Sequence, residues 1–270
     1  MENKIHRFIS STVSYHNLEE AVDIANSLNC GLEISRFGRL ADIEENFEIN
    51  KKEYKAILDD FDREINLHGF FSNLNFTAKD PLIKEASLKR YYQSLELAEL
   101  FDVTTVVFHT CFNNLLKQKQ YQEMFFLNNV EFYKEFIKNF EKLGITATME
   151  NVHEPNPDLI RNIIATVNSP NFKATIDIGH ANLHSDLPVS DWIKEYGIML
   201  HHMHLHNNFK DEDSHQSLLK GNLDIKAILT TLKEMHLYPS VTFEIFNKEA
   251  LIESVNYFNS LCDEIGLEYC

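Results

Sequence analysis

Residues 201–215 read HHMHLHNNFKDEDSH, and they hold five of the chain's thirteen histidines and three acidic residues. Imidazole and carboxylate together are the ligands of Zn, Mn, Fe and Co. They are also the commonest general acids and bases. If MLHHMHLHNN is a strand, alternation sends His202, His204 and His206 to one face and His201, Met203 and Leu205 to the other. His204 lies nearest the strand end, before Asn207-Asn208, and is the expected ligand. His202 sits deeper and reads as structural. For His206 the pattern leaves ligand, ligand support and surface residue all open. Asp213 and His215 form a D-x-H pair on the loop that follows.

The same residue types close a series of short apolar runs upstream and downstream. Eight such runs are β-branched or apolar: 6–12, 31–37, 64–70, 104–110, 145–151, 172–178, 200–206 and 240–246. Stretches of 3.6-residue apolar periodicity separate them, at 18–28, 84–101, 130–143, 158–167, 223–235 and 248–265, with weaker patterns at 50–62 and 188–196. Regular β-α alternation predicts parallel strands joined by crossover helices. Eight units in 270 residues predict a single (β/α)₈ (TIM) barrel spanning 1–270, with a doubly wound open sheet as the competing α/β architecture. Neither G-x-G-x-x-G nor G-x-x-x-x-G-K-[ST] occurs to favour the open sheet.

In such a barrel the active site lies at the C-terminal ends of the strands. The second run offers Glu33 and Arg36 there, and the third to the eighth offer His68, His109, Glu150, Asp177 with His180, His204 and Glu244. Unpaired carboxylates and imidazoles crowded at one barrel mouth repel one another and are costly to desolvate. Bound divalent cations remove that conflict.

The bulk composition restricts the partners. The net charge of −16 argues against a general polyanion-binding surface, since nonspecific nucleic-acid affinity comes mainly from Lys and Arg. It does not exclude an anionic ligand held through bound cations. Cys30, Cys111, Cys262 and Cys270 show no C-x-x-C spacing and read as reduced thiols. The start, MENKIHRFISS, has no apolar h-region, and no apolar run approaches twenty residues. The expected setting is the cytoplasm, away from any membrane.

In order along the chain, LHGFF (His68), VVFHT (His109), TATMEN (Glu150), TIDIGH (Asp177, His180), MHLHN (His204), DSHQSLLKGN (Asp213, His215) and TFEI (Glu244) resemble the xylose isomerase-like barrels. Within that group the likeness is to endonuclease IV, the zinc-dependent enzyme that cuts at abasic sites. The resemblance implies up to three zinc ions, with Mn or Fe as alternatives, held by these nine residues. There are departures. The first strand lacks a Gly-x-His-x-Ser segment, His206 and Asn207 stand where H-L-N-D is usual, and Leu219-Lys220-Gly221 lacks the first glycine of its turn. The loop after the second strand carries Arg36 and Arg39 but also Asp42, Glu44, Glu45 and Glu48. Phe71 falls where the resemblance implies an aromatic wedge for DNA.

Three functions follow from these residues. The first is a phosphodiester hydrolase acting on abasic DNA or another phosphate ester. There the resemblance implies Glu150 bridging two metals, His68 and His109 on one, Asp177 and His204 on a second with Glu244 orienting the nucleophile, and His180, Asp213 and His215 on a third. The second is an isomerase or epimerase of a small sugar or sugar phosphate. There the resemblance implies one metal held through Glu150, Asp177, His204 and Glu244, with Glu150 and Glu244 exchanging the proton. The third is a barrel that binds metal without catalysis.

Overall fold

The computed structural model describes residues 3–14, 17–38 and 46–270. Eight parallel strands close into a barrel in chain order, each pairing with the next and β8 pairing with β1. They are β1 (Arg7–Ser10), β2 (Gly31–Ile34), β3 (Ile65–His68), β4 (Thr105–His109), β5 (Thr146–Glu150), β6 (Phe172–Asp177), β7 (Leu200–Leu205) and β8 (Ser240–Phe243). The α-helices among the described residues are α1 (Leu18–Leu28), α2 (Phe47–Leu58), α3 (Pro81–Leu100), α4 (Lys119–Leu143), α5 (Asp158–Val167), α6 (Ile178–His184), α7 (Val189–Tyr196), α8 (Ile225–Glu234) and α9 (Lys248–Ile265). None is long and apolar enough to cross a membrane. The open-sheet alternative is excluded by the closure of β1 on β8.

Local chemistry sets the helix ends. Asn17, Asp80, Asp224 and Asn247 accept first-turn N–H groups at the starts of α1, α3, α8 and α9. Pro81 follows its cap at the first helical position of α3. Gly144 and Gly266, both at positive φ, end α4 and α9.

The strands are shorter than the apolar runs that announce them. The run at 6–12 ends as β1 at Ser10, because Ser11–Ser14 winds into a 3₁₀ turn. β8 stops at Phe243, although the Glu244 N–H still donates to the Leu205 carbonyl at 3.1 Å. Helix α4 begins eleven residues before the periodic stretch at 130–143. Its first turns, KQYQEMFFLNN, bury Phe125 and Asn129 but otherwise stay largely in solvent. Helix α6 was not expected at all. Asp177 ends β6 and caps α6, accepting the His180 N–H at 2.7 Å.

Alternation fails at one place on β7. Between β6 and β7 the register runs Ala174↔Leu200 and then Thr175↔His202, so His201 is an extra, bulged residue. It does not join Met203 and Leu205 on the outer face. Its Nε2 lies 3.2 Å from Thr105 Oγ1 on β4. Burial, with His202 and Lys173 adding to it, presses this imidazole down to about 4. A histidine near 6.5 when unfolded takes its proton before the folded form does. Stability is therefore full above about pH 6.5 and falls as pH drops toward 4, by on the order of 3 kcal/mol for this group. His201→Gln removes that component. Urea midpoints followed from pH 7 to pH 4 are expected to fall less steeply in the variant, and parallel curves would refute the assignment.

Between barrel and helices, Tyr91 stacks on Phe108 at 5.1 Å, and Phe136 and Phe140 meet the same Phe108 ring edge-on. Trp192 is fully buried and its indole N–H donates to Ser185 Oγ at 3.2 Å, so it is core and not an interface. This shell holds the strand ends in place, which is what the site requires.

Candidate functional site

Strand register does most of the positioning. His109 lies level with Glu150, and Asp177 with His204, each on the neighbouring strand. His68, His109, Glu150, His180 and Glu244, with Asp213 and His215 from the loop beyond, line a cavity of about 570 Å³ at the C-terminal mouth of the barrel. Asp177 and His204 are fully buried beside it.

Three groups of side chains converge there. In the first, His68 Nε2 and His109 Nε2 stand 3.3 and 3.2 Å from Glu150 Oε2. In the second, His204 Nδ1 is 3.1 Å from Glu150 Oε1 and 3.8 Å from both Asp177 Oδ2 and Glu244 Oε2. In the third, His180 Nε2 and His215 Nε2 each lie 3.3 Å from Asp213 Oδ2. All nine residues singled out in the sequence thus stand together, with Glu150 shared between the first two groups.

The loop after β7 delivers Asp213 and His215. Asn207 and Gln216 exchange backbone hydrogen bonds of 3.1 and 2.9 Å, which folds 207–216 back over the barrel. Asn207 Oδ1 accepts from the Leu223 N–H at 3.1 Å and ties down the far end. Gly221 lies so close that a Cβ there would sit 2.1 Å from Asn207 Oδ1. That explains the glycine in LLKGN.

The donor set fits divalent cations. His68, His180 and His215 each donate Nδ1–H to a backbone carbonyl, of Gly69 (3.0 Å), Asn151 (3.1 Å) and Glu244 (2.8 Å). In the neutral imidazoles every Nε2 then carries a lone pair, and each is aimed at a carboxylate oxygen. Lone pair against anion is repulsive unless a cation lies between them. Ligands bound tetrahedrally at 2.0–2.1 Å are separated by about 3.3 Å, close to the spacings of the first and third groups. Backbone carbonyls fixing the outer nitrogen are the usual support of metal-binding histidines.

Electrostatics agree with ionised carboxylates. Burial raises the Glu150 carboxyl, but His204 and His109 outweigh it and hold it well below its ordinary value. Asp213 is also held far down, by His180 and His215 against the cost of burial. Burial lowers His215, yet Asp213 and Glu244 carry it up to about 9. His109 goes the other way, pulled down by burial. Without a cation, protons hold the imidazoles and carboxylates together.

Two further residues belong to this site. Glu33, buried within β2, approaches His204 and His202 from below, each at 3.0 Å. His206 is also buried and stacks on His215, with ring centroids 3.9 Å apart and planes inclined by 20°. An ion lies close to the plane of each imidazole that binds it, so two nearly parallel stacked rings do not share one. His206 Nε2 instead lies 3.1 Å from both Asp177 oxygens and donates to that carboxylate. Alternation along β7 had placed His206 on the inner face, but nothing in the sequence announced its partner.

The mouth is walled by aromatics. Phe71 packs on His68 and His109, at 4.9 and 5.0 Å, and Phe246 stacks on His215 at 4.3 Å. Arg36 also lines the cavity. Arg39, Asp42, Glu44 and Glu45 lie outside the described residues, and Glu48 is exposed on α2, where it pairs with Lys51.

Metal loading is expected to show directly in stability. A cation held at about a thousand times its dissociation constant stabilises by about 4 kcal/mol. With an unfolding entropy of about 0.6 kcal/mol/K for a chain this long, the melting temperature rises by about 7 °C. Differential scanning calorimetry with Zn or Mn, reversed by chelator, measures this. An unchanged melting temperature would refute the fit.

Comparison with known proteins agrees with this architecture. The chain is 26% identical over 214 residues to the uncharacterized protein MJ1311 of Methanocaldococcus jannaschii, covering 76% of this chain and 72% of that one. Its fold is similar to that of a D-tagatose 3-epimerase-like protein, at a TM-score of 0.81 and 22% identity over 97% of this chain and 98% of the other. A Thermus thermophilus protein, TTHB071, in a crystal soaked with ZnCl2, gives 0.78 and 21% over 97% and 98%. A D-psicose 3-epimerase in the presence of D-fructose gives 0.76 and 14% over 97% and 100%. Residues 31–261 match the family described as the xylose isomerase-like TIM barrel, and the chain belongs to that family.

Proposed function

We propose that this protein is a divalent-metal-dependent isomerase or epimerase of a small sugar or sugar phosphate. The observation that carries the reading is the second group, Glu150, Asp177, His204 and Glu244, of which Glu150 and Glu244 line the mouth cavity of about 570 Å³. That volume suits a small ligand. The sugar epimerases with the same fold support the choice, as does the acidic surface. Of the described residues lining the cavity, Arg36 alone is Lys or Arg.

A bound divalent cation supplies Lewis-acid polarisation of the substrate's carbonyl and hydroxyl oxygens. The chain's own groups do the rest. Glu150 and Glu244 are the carboxylates that take a proton from the carbon beside the carbonyl and return one to the opposite face or to the neighbouring carbon. Phe71 and Phe246 offer apolar surface to the C–H edges of the ring and keep water from the reacting carbon. The test is hydrogen exchange. The Mn-loaded protein is incubated in D2O with ketohexoses and their phosphates, and loss of the C–H signal beside the carbonyl is followed by NMR. Exchange that disappears in Glu244→Gln supports the reading. Metal bound but no exchange on any of them overturns it.

A second reading has its own observation. His68 and His109 on one side, and His180, Asp213 and His215 on the other, form two further ligand groups around the central one. An epimerase with one metal does not need them. A phosphodiester hydrolase with three, acting on abasic DNA or another phosphate ester, does. Its prediction is three ions per chain, incision of a duplex carrying one abasic site, and loss of incision in His109→Ala and His215→Ala. Under the first reading both variants keep substantial proton exchange.

A further inference from the structure

We propose that Glu33 is the positioning residue that presents His204 to the central cation. The proposal rests on reading Glu150, Asp177, His204 and Glu244 as a cation site, and it assigns a role to a residue outside that set.

Glu33 lies wholly inside the barrel, level with Ser10 on β1 and Asn66 on β3. A carboxylate in such a place must be surrounded by donors. Its Oε2 accepts from Thr242 Oγ1 at 2.8 Å and from His202 Nε2 at 3.0 Å. His202 is itself held from the other side, with Nδ1 2.6 Å from Ser240 Oγ. These contacts satisfy one oxygen only. The other, Oε1, stands 3.0 Å from His204 Nε2. The pair is off the line of a well-formed hydrogen bond, and neither atom has another partner. Both are fully buried, away from bulk solvent.

His204 Nδ1 lies 3.1 Å from Glu150 Oε1, so with a cation held on that side the pairing with Glu33 decides the tautomer. An unprotonated Nε2 would set a lone pair against an anionic oxygen at 3.0 Å in a buried site. Nε2 therefore carries the proton, and a small rotation of the ring completes the bond. With Nε2 protonated, the lone pair of the neutral imidazole belongs to Nδ1, the atom that faces Glu150, Asp177 and Glu244. His204 thus differs from His68, His180 and His215, which spend Nδ1 on backbone carbonyls and offer Nε2. Its outer nitrogen turns into the barrel, where a side chain, Glu33, offers the acceptor.

Two measurements test this. Long-range ¹H–¹⁵N NMR of the zinc-loaded wild-type protein is expected to show His204 protonated at Nε2 and coordinated through Nδ1. The opposite assignment overturns the proposal without any variant. Zinc affinity is then measured by chelator competition. Removing such a support weakens binding roughly 10- to 100-fold, so Glu33→Gln is expected to lower the affinity of one ion by that factor. Thr242→Val, which removes another partner of Glu33 but leaves the carboxylate, is expected to keep wild-type affinity. Equal losses in the two variants would mean that Glu33 only holds the barrel floor together, and unchanged affinity in Glu33→Gln would also overturn the proposal. His204→Ala separates the two levels. If it binds zinc like the wild type, the central cation site itself is wrong. If it loses an ion that Glu33→Gln retains at full strength, only the role of Glu33 is wrong.

Discussion

Glu150→Gln is expected to cut proton exchange roughly 10²- to 10⁴-fold and to lower the metal content. The reason is the crowding around its two oxygens. Oε2 faces His68 and His109, while Oε1 faces His204 at 3.1 Å and His180 at 3.5 Å. Glutamine keeps the shape but not the charge, and its NH2 group turns toward nitrogens that should carry lone pairs. Glu154 is the control. It is as buried as Glu150 and four residues away, but it is served by the Thr110 hydroxyl and the N–H groups of Val152 and His153. Burial pushes its carboxyl above the ordinary value despite those bonds. Glu154→Gln is therefore expected to leave metal content and exchange intact. Metal analysis by mass spectrometry and exchange in D2O read both variants. A Glu150→Gln protein with wild-type metal content would remove Glu150 from the centre of the site.

How far the sequence could be read depended on the range of each interaction. The cluster of His, Asp and Glu at the barrel mouth was legible because four of the short strands end on one of its residues. The last residues of β3, β4, β5 and β6 are His68, His109, Glu150 and Asp177. The closed barrel was legible because apolar runs and helical periodicity alternate eight times. Three features were not. The bulge at His201 depends on the register of β6 against β7, which alternation within one strand cannot report. The dual use of Asp177 was hidden because D-x-x-H is also the spacing of a helix cap to its third residue, and here one side chain caps α6 while facing His204 and His206. Glu33 was noticed at a strand end but not placed in the site, since its partners His202, His204 and Thr242 lie on β7 and β8. A carboxylate whose reason for burial is that distant leaves no local pattern.

His206 stands two residues after His204 and packs against Gly179 of α6. One face of its ring lies on His215. Gly179 approaches the ring so closely that a Cβ there would come within 2.0 Å of His206 Cε1 and 2.5 Å of both ring nitrogens. Gly179 is ordinary helix, not a positive-φ position, so the glycine is required by this contact alone. Gly179→Ala must push the imidazole aside, and that movement breaks its 3.1 Å contacts with Asp177 and disturbs the stack on His215. Overpacking of this kind costs about 1–3 kcal/mol, and the rigid ring puts the expected value at the upper end. For a chain this long that lowers the melting temperature by roughly 5 °C. Because Asp177 and His215 belong to two different ligand groups, metal affinity is expected to fall with stability. His206→Ala opens the space, so Gly179→Ala in that background is expected to be nearly neutral. Urea unfolding of the two single variants and the double variant closes the cycle. Costs that simply add would mean that the alanine clashes with something other than His206, and the ring would lose its place as the support of Asp177.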